Sequence, residues 1–116
     1  MTLSDFYTRL GSSCAEVLKR IPSEQMLKKF VKMYQNDPSF SQLEEAIAQK
    51  DWQTAFRAAH TLKGVAQNLG FSDLQRTASE LTESLRGAKP LTQPELLDAV
   101  RISQKQIVDA MKELDA

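Results

Sequence analysis

The sequence predicts an all-α fold: an antiparallel up-down four-helix bundle with short additional helices at its N-terminus. Three observations carry this. Apolar residues recur at alternating spacings of three and four along most of the chain, the period of a helix with one buried face. The four glycines and four prolines fall mostly between these runs, where turns belong. No segment alternates apolar and polar residues as a half-buried strand does.

The elements follow in order. Leu3 to Leu10 reads as a short helix ended by Gly11, and Cys14 to Arg20 as a second short turn. Ser23 is placed to cap the next helix, with Glu24 at the positive end of its dipole and Leu27, Phe30, Val31 and Tyr34 as its apolar stripe. Pro38 then interrupts the pattern. It either begins a fresh helix capped by Asp37 or Ser39, or kinks one long helix. Phe40, Leu43, Ala46 and Ile47 continue an apolar face in both cases.

The run from Asp51 to Leu69 is the most regular. Trp52, Ala55, Ala59, Leu62, Ala66 and Leu69 make one seam, with Asp51 as N-cap and Gly70 as the terminating glycine. Phe71, Leu74, Ala78, Leu81 and Leu85 keep the rhythm in the next helix, which Gly87 and Pro90 end. The last helix begins near Thr92 with Pro94 and Glu95 in its first turn. Its stripe is Leu96, Val100, Ser103, Ile107, Ala110 or Met111, and Leu114.

Composition narrows the function. A chain of 116 residues suits one domain spanning 1–116, with a bundle core over about 20–115. Fifteen basic residues balance fifteen acidic ones, and no basic run marks a nucleic-acid or lipid surface. No stretch approaches the roughly 18–20 apolar residues of a membrane span, and the N-terminus lacks the pattern of a signal peptide. Cys14 is the single cysteine, so no internal disulfide forms; a reducing cytoplasm is the simplest compartment, with Cys14 packed as a small apolar residue. No Walker-type glycine loop is present.

His60 is the only histidine, within "AAHTLKGVAQNLG". At about 100° per residue it points about 130° from the centre of its helix's seam, toward solvent. A histidine metal site needs converging ligands, yet no second histidine exists and no Asp or Glu lies within four positions on either side. The same lack of an orienting carboxylate on its helix argues against a hydrolytic triad. Gly64 lies one turn later on the same face and still further from the seam, although glycine inside a helix costs about 1 kcal/mol against alanine. A bare helix surface beside an exposed imidazole admits close approach by another macromolecule. Lys63 flanks it, and Gln53, Arg57 and Gln67 complete the ring of neighbours. That ring is either an ordinary solvated face or a surround that favours an anion on the imidazole.

"HTLKGVAQNLG" resembles the phosphorylated-histidine motif of histidine-containing phosphotransfer (Hpt) domains, H-x-L-K-G-x-x-x-x-L-G, with His60, Leu62, Lys63, Gly64, Leu69 and Gly70 in register. "DWQTAFRAAH" and "FSDLQRTASELTESL" are similar to the segments before and after it, and the likeness extends over about residues 20 to 115. The resemblance implies a carrier that moves a phosphoryl group between aspartates of response-regulator receiver domains, or between a sensor or hybrid histidine kinase and a receiver. His60 would accept the group on Nε2, Lys63 would stabilise its charge, and Gly64 would leave room for the partner. Leu62, Ala59, Ala66 and Leu69 would hold the helix. The family often places a glutamine 22 residues after the histidine to orient the imidazole. Here that position is Thr82, whose shorter hydroxyl reaches less far without a bridging water; either Gln67 substitutes for it or the imidazole is held less tightly. Phe56 is either core or docking surface; Phe6 and Tyr7 either cap one end of the bundle or join the partner surface.

The expected protein is a monomeric relay without a kinase site, metal or cofactor of its own; Mg²⁺ would come with the receiver. The alternative is a phosphorylation-independent helical interaction module.

Overall fold

The computed structural model describes residues 1–114, all of whose regular elements are helical. They are α1 (Leu3–Arg9), α2 (Cys14–Leu18), α3 (Glu24–Met33), α4 (Ser39–Ala48), α5 (Trp52–Leu69), α6 (Ser72–Leu85) and α7 (Pro94–Leu114), with a 3-10 turn at Tyr34–Asn36. Residues 115 and 116, including the expected end of the core at 115, lie outside the described residues.

Side-chain caps set the helix starts. Ser23 accepts the Met26 amide hydrogen at the head of α3, and Asp51 accepts that of Thr54 at the head of α5. Thr2 and Asp5 form a reciprocal capping box at α1. Pro38 begins a fresh helix. Asp37 takes the extended backbone that a residue before proline prefers, and its carboxylate accepts the Ser39 amide at 2.8 Å. Ser39 is buried instead of capping.

α5 is the central element. It packs against α4 on one side and α6 on the other, while α6 packs on α7 and α1 on α7. Ala55, Ala59, Leu62 and Ala66 are fully buried, and the three alanines let the neighbouring helices come close. α7 is tied back to the earlier helices by polar links. Tyr34 donates to Gln104 at 2.5 Å, Arg101 donates to Glu44 at 2.6 Å, and Thr77 donates to Ser103 in the interior at 3.2 Å.

The end of α5 is closed from several directions. Gly70 adopts the left-handed conformation at φ 71°; its amide donates to the Gln67 carbonyl, and the Phe71 amide donates to that of Ala66. Arg20 donates to the carbonyls of Gln67 and Asn68, and the Tyr7 hydroxyl donates to that of Leu69 at 2.5 Å. Phe6, Tyr7, Tyr34 and Phe71 form an edge-to-face aromatic cluster under this junction. Phe6 and Tyr7 are therefore core residues that cap the packed helices, and neither is available to a partner.

Two stripe assignments change. In α7 the buried position is Leu97, with Leu96 half-buried, because the seam steps back three residues from Val100 instead of four; Ala110 and Met111 are both buried. In α3, Leu27, Val31 and Tyr34 are buried but Phe30 is 37% exposed. It lies off the line of those three and lines an open groove with Met33 and Val65. Cys14 is buried, and burial raises its thiol pKa, as suits a packing residue.

Gly70→Ala should cost about 2–4 kcal/mol in urea unfolding, combining left-handed backbone strain with overpacking, because the added Cβ would meet Val17 Cγ2 at 2.1 Å. Gly11→Ala has the same positive φ but open space around it, and should lose only about 1–2 kcal/mol. A second expectation concerns alkali. Burial raises the pKa of both Tyr7 and Tyr34 above the ordinary tyrosine value. The unfolded chain therefore releases these protons first, and stability should fall as pH rises past about 10. Unfolding free energy against pH should show a shallower alkaline decline in Tyr7→Phe.

Candidate functional site

His60 is exposed on α5, on the side turned away from the buried seam. Two features of the sequence put it there. The alanines and leucines of the seam fix which face of α5 is inward, and the Asp51 cap and Gly70 stop fix its ends. The site thus sits on a rigid helix and not on a loop. No hydrogen bond to the imidazole is found among the described residues.

The surroundings fall into two flanks. Gly64, one turn on, is half-buried, and a Cβ built there would meet nothing within 4 Å. The glycine accordingly answers no packing demand inside the molecule. Lys63 is half-buried, while Gln53, Arg57 and Gln67 are exposed. Beyond them Arg20, Phe30, Met33, Val65 and Asn68 border the groove between α3 and α5.

The flank toward α6 is more structured. Phe56 is half-buried against the core, and its ring lies 15° from parallel to the imidazole with centroids 6.2 Å apart. The Arg86 guanidinium lies over the Phe56 ring, 5.3 Å from its centroid. Arg86 in turn makes two bonds to the Glu83 carboxylate, at 3.0 and 2.8 Å. Those bonds hold the Glu83 carboxyl below the usual carboxylate range, with smaller contributions from the nearby charges of Lys63 and His60.

The structure brings His60, Lys63, Gly64, Gln53, Arg57 and Gln67 onto one face of α5, whereas Thr82 is not on that exposed face. Thr82 is fully buried in α6, and its hydroxyl donates to the Ala78 carbonyl at 2.6 Å. A short β-branched side chain on a helix bonds its own preceding turn more readily than it reaches across to a neighbour. Gln67 is exposed, and it is its backbone carbonyl that is engaged, by Arg20. Glu83 and Arg86 were missed from sequence. A signal existed. α5 and α6 fold back on each other about Phe71, so Thr82 stands opposite His60 and Arg86 opposite Phe56, each pair equidistant from the turn.

The family model of the Hpt domain matches residues 25–116. The chain belongs to this family. No match to a curated protein or to a solved structure was found. Hpt domains are histidine phosphotransfer modules of two-component signalling; they act with response regulators and kinases, and are carriers and not themselves kinases. The exposed imidazole on a braced helix is compatible with that role. Among the described residues, no three His, Cys, Asp or Glu side chains gather as a metal site, and no helix is long and apolar enough to cross a membrane.

Since a Cβ at position 64 would meet nothing within 4 Å among the described residues, Gly64→Ala should raise stability by about 0.5–1 kcal/mol through helix propensity. Chemical denaturation tests this, and a loss of stability would mean that the glycine serves internal packing after all.

Proposed function

We propose that this Hpt domain carries a phosphoryl group on His60 and exchanges it with the aspartate of receiver domains. The observation that carries the reading is an exposed imidazole beside a helix surface left bare at Gly64, with Lys63 on its flank. A neutral imidazole is a good nucleophile near its reference pKa of about 6.5. Its Nε2 lone pair attacks the phosphorus of an aspartyl phosphate. The N–P bond forms as the P–O bond to the aspartate breaks, the aspartate leaves as a carboxylate, and the Nδ1 proton stays on the ring.

Such a transfer needs in-line approach and positive charge around the equatorial oxygens. In-line approach requires that the receiver's active site come down over the imidazole, which a side chain at position 64 would obstruct. Lys63 supplies positive charge on the near side. The acidic residues and Mg²⁺ belong to the receiver in this reading, so the chain is a substrate and relay with no kinase activity of its own. The apolar groove bordered by Phe30, Met33 and Val65 lies along α5 from Gly64 and offers the receiver an apolar seat with a polar rim.

Transfer from radiolabelled, phosphorylated receivers to wild type, His60→Gln and Lys63→Ala tests the assignment. Wild type should take an acid-labile, base-stable label and His60→Gln none. Lys63→Ala should be labelled about tenfold or more slowly, the loss expected of one charge-stabilising group. A receiver that binds wild type and His60→Gln equally well, while labelling neither, would instead establish a phosphorylation-independent interaction module.

A further inference from the structure

We propose that Phe56 is a positioning residue for the His60 imidazole and that the Glu83–Arg86 pair of α6 holds Phe56 in place, an inference that rests on His60 being the phosphoacceptor. The second torsion of a histidine side chain is broad, so an exposed imidazole without a hydrogen bond sweeps a wide range of ring planes. In-line attack tolerates only a narrow part of that range.

Phe56 supplies the missing constraint. It precedes His60 by one helical turn, and side chains on a helix lean toward its N-terminus, so the imidazole leans back over the Phe56 ring. The observed geometry is the offset-parallel arrangement that aromatic rings favour, 15° between planes and 6.2 Å between centroids. A ring wall of this kind orients the imidazole plane without occupying either nitrogen. Nε2 stays open to the phosphorus and Nδ1 keeps its proton. Thr82, the position opposite His60 across the α5–α6 turn, is committed to the Ala78 carbonyl and does not perform this task.

Phe56 needs a support in turn, since it is only half-buried. Arg86, opposite it across the same turn, covers its face at 5.3 Å. The two bonds from Arg86 to Glu83 fix the guanidinium plane. The pairing has an electrostatic effect as well. Glu83 is near enough to Lys63 to feel its charge, and an unpaired carboxylate there would repel an incoming phosphoryl group. Arg86 cancels that charge while leaving Lys63 free to act.

The test compares wild type, Phe56→Leu, Phe56→Tyr and Arg86→Gln in the full chain. Two quantities are measured: the order of the ¹⁵N-labelled imidazole ring by NMR relaxation in the unphosphorylated protein, and the rate of phosphorylation by phosphoramidate, a small donor that needs no docking surface. Phe56→Leu should lower ring order and slow phosphorylation roughly three- to tenfold. Phe56→Tyr should restore both, and Arg86→Gln should lower both to a smaller extent. Unchanged ring order in a folded Phe56→Leu overturns the proposal, as does a slower rate without a change in ring order or without rescue by tyrosine. If Phe56→Leu does not fold, unchanged ring order and rate in the surface variant Arg86→Gln overturn it. Should no donor label wild type, the phosphoacceptor assignment fails on its own account, while ring order still decides whether Phe56 holds the imidazole.

Discussion

The rest of the structure depends on how α5 stops. A helix leaves its last four carbonyls without internal partners, and here each finds a donor. Ala66 and Gln67 are met by the amides of Phe71 and Gly70, Gln67 and Asn68 by Arg20, and Leu69 by the Tyr7 hydroxyl. The guanidinium also places positive charge at the negative end of the helix dipole. Because the stop is fixed to the residue, the turn into α6 is fixed too, and so is the register of α6 against α5. That register decides which α6 side chains stand beside His60.

The two faces of α5 are consequently built to different rules. The inward face is apolar and rich in alanine, and it is buried against α4 and α6. The outward face carries a glycine that no internal contact needs, an imidazole without a hydrogen bond among the described residues, and a lysine at the border between them. A helix can bear such an outward face only because the inward one supplies its stability. Tertiary packing offsets the low helix propensity of Gly64.

Most of this was legible in the sequence, because it was written at helical period. The order of the helices, the caps at Ser23 and Asp51, the stop at Gly70 and the outward direction of His60 all follow from spacing and local chemistry. What was not legible depended on lateral context. Phe30 fits its stripe by spacing, but it lies off the line of Leu27, Val31 and Tyr34, and period alone does not say where a buried face ends. Leu96 and Leu97 are adjacent and equally apolar, so only the packed partner chooses between them. Thr82 falls opposite His60 as the spacing implies, but spacing does not say that its hydroxyl turns to its own helix. Nothing in the helical period singles out Glu83 and Arg86; the Arg86 contact with Phe56 appears only when α6 is laid against α5.

The side-chain donors that finish α5 come from ahead of the family match. Tyr7 and Arg20, and the Val17 side chain that lies against Gly70, precede residue 25, where the likeness to other Hpt domains begins. The recognisable unit and the packed unit are therefore different lengths of chain. A fragment trimmed to the match would keep His60, Lys63 and Gly64 intact. It would also leave the Leu69 carbonyl and one side of Phe71 open to water, and the helix that carries the histidine would fray from its far end. In this protein the leading segment acts as a clasp on the end of α5, and its removal would be felt along the helix that bears His60.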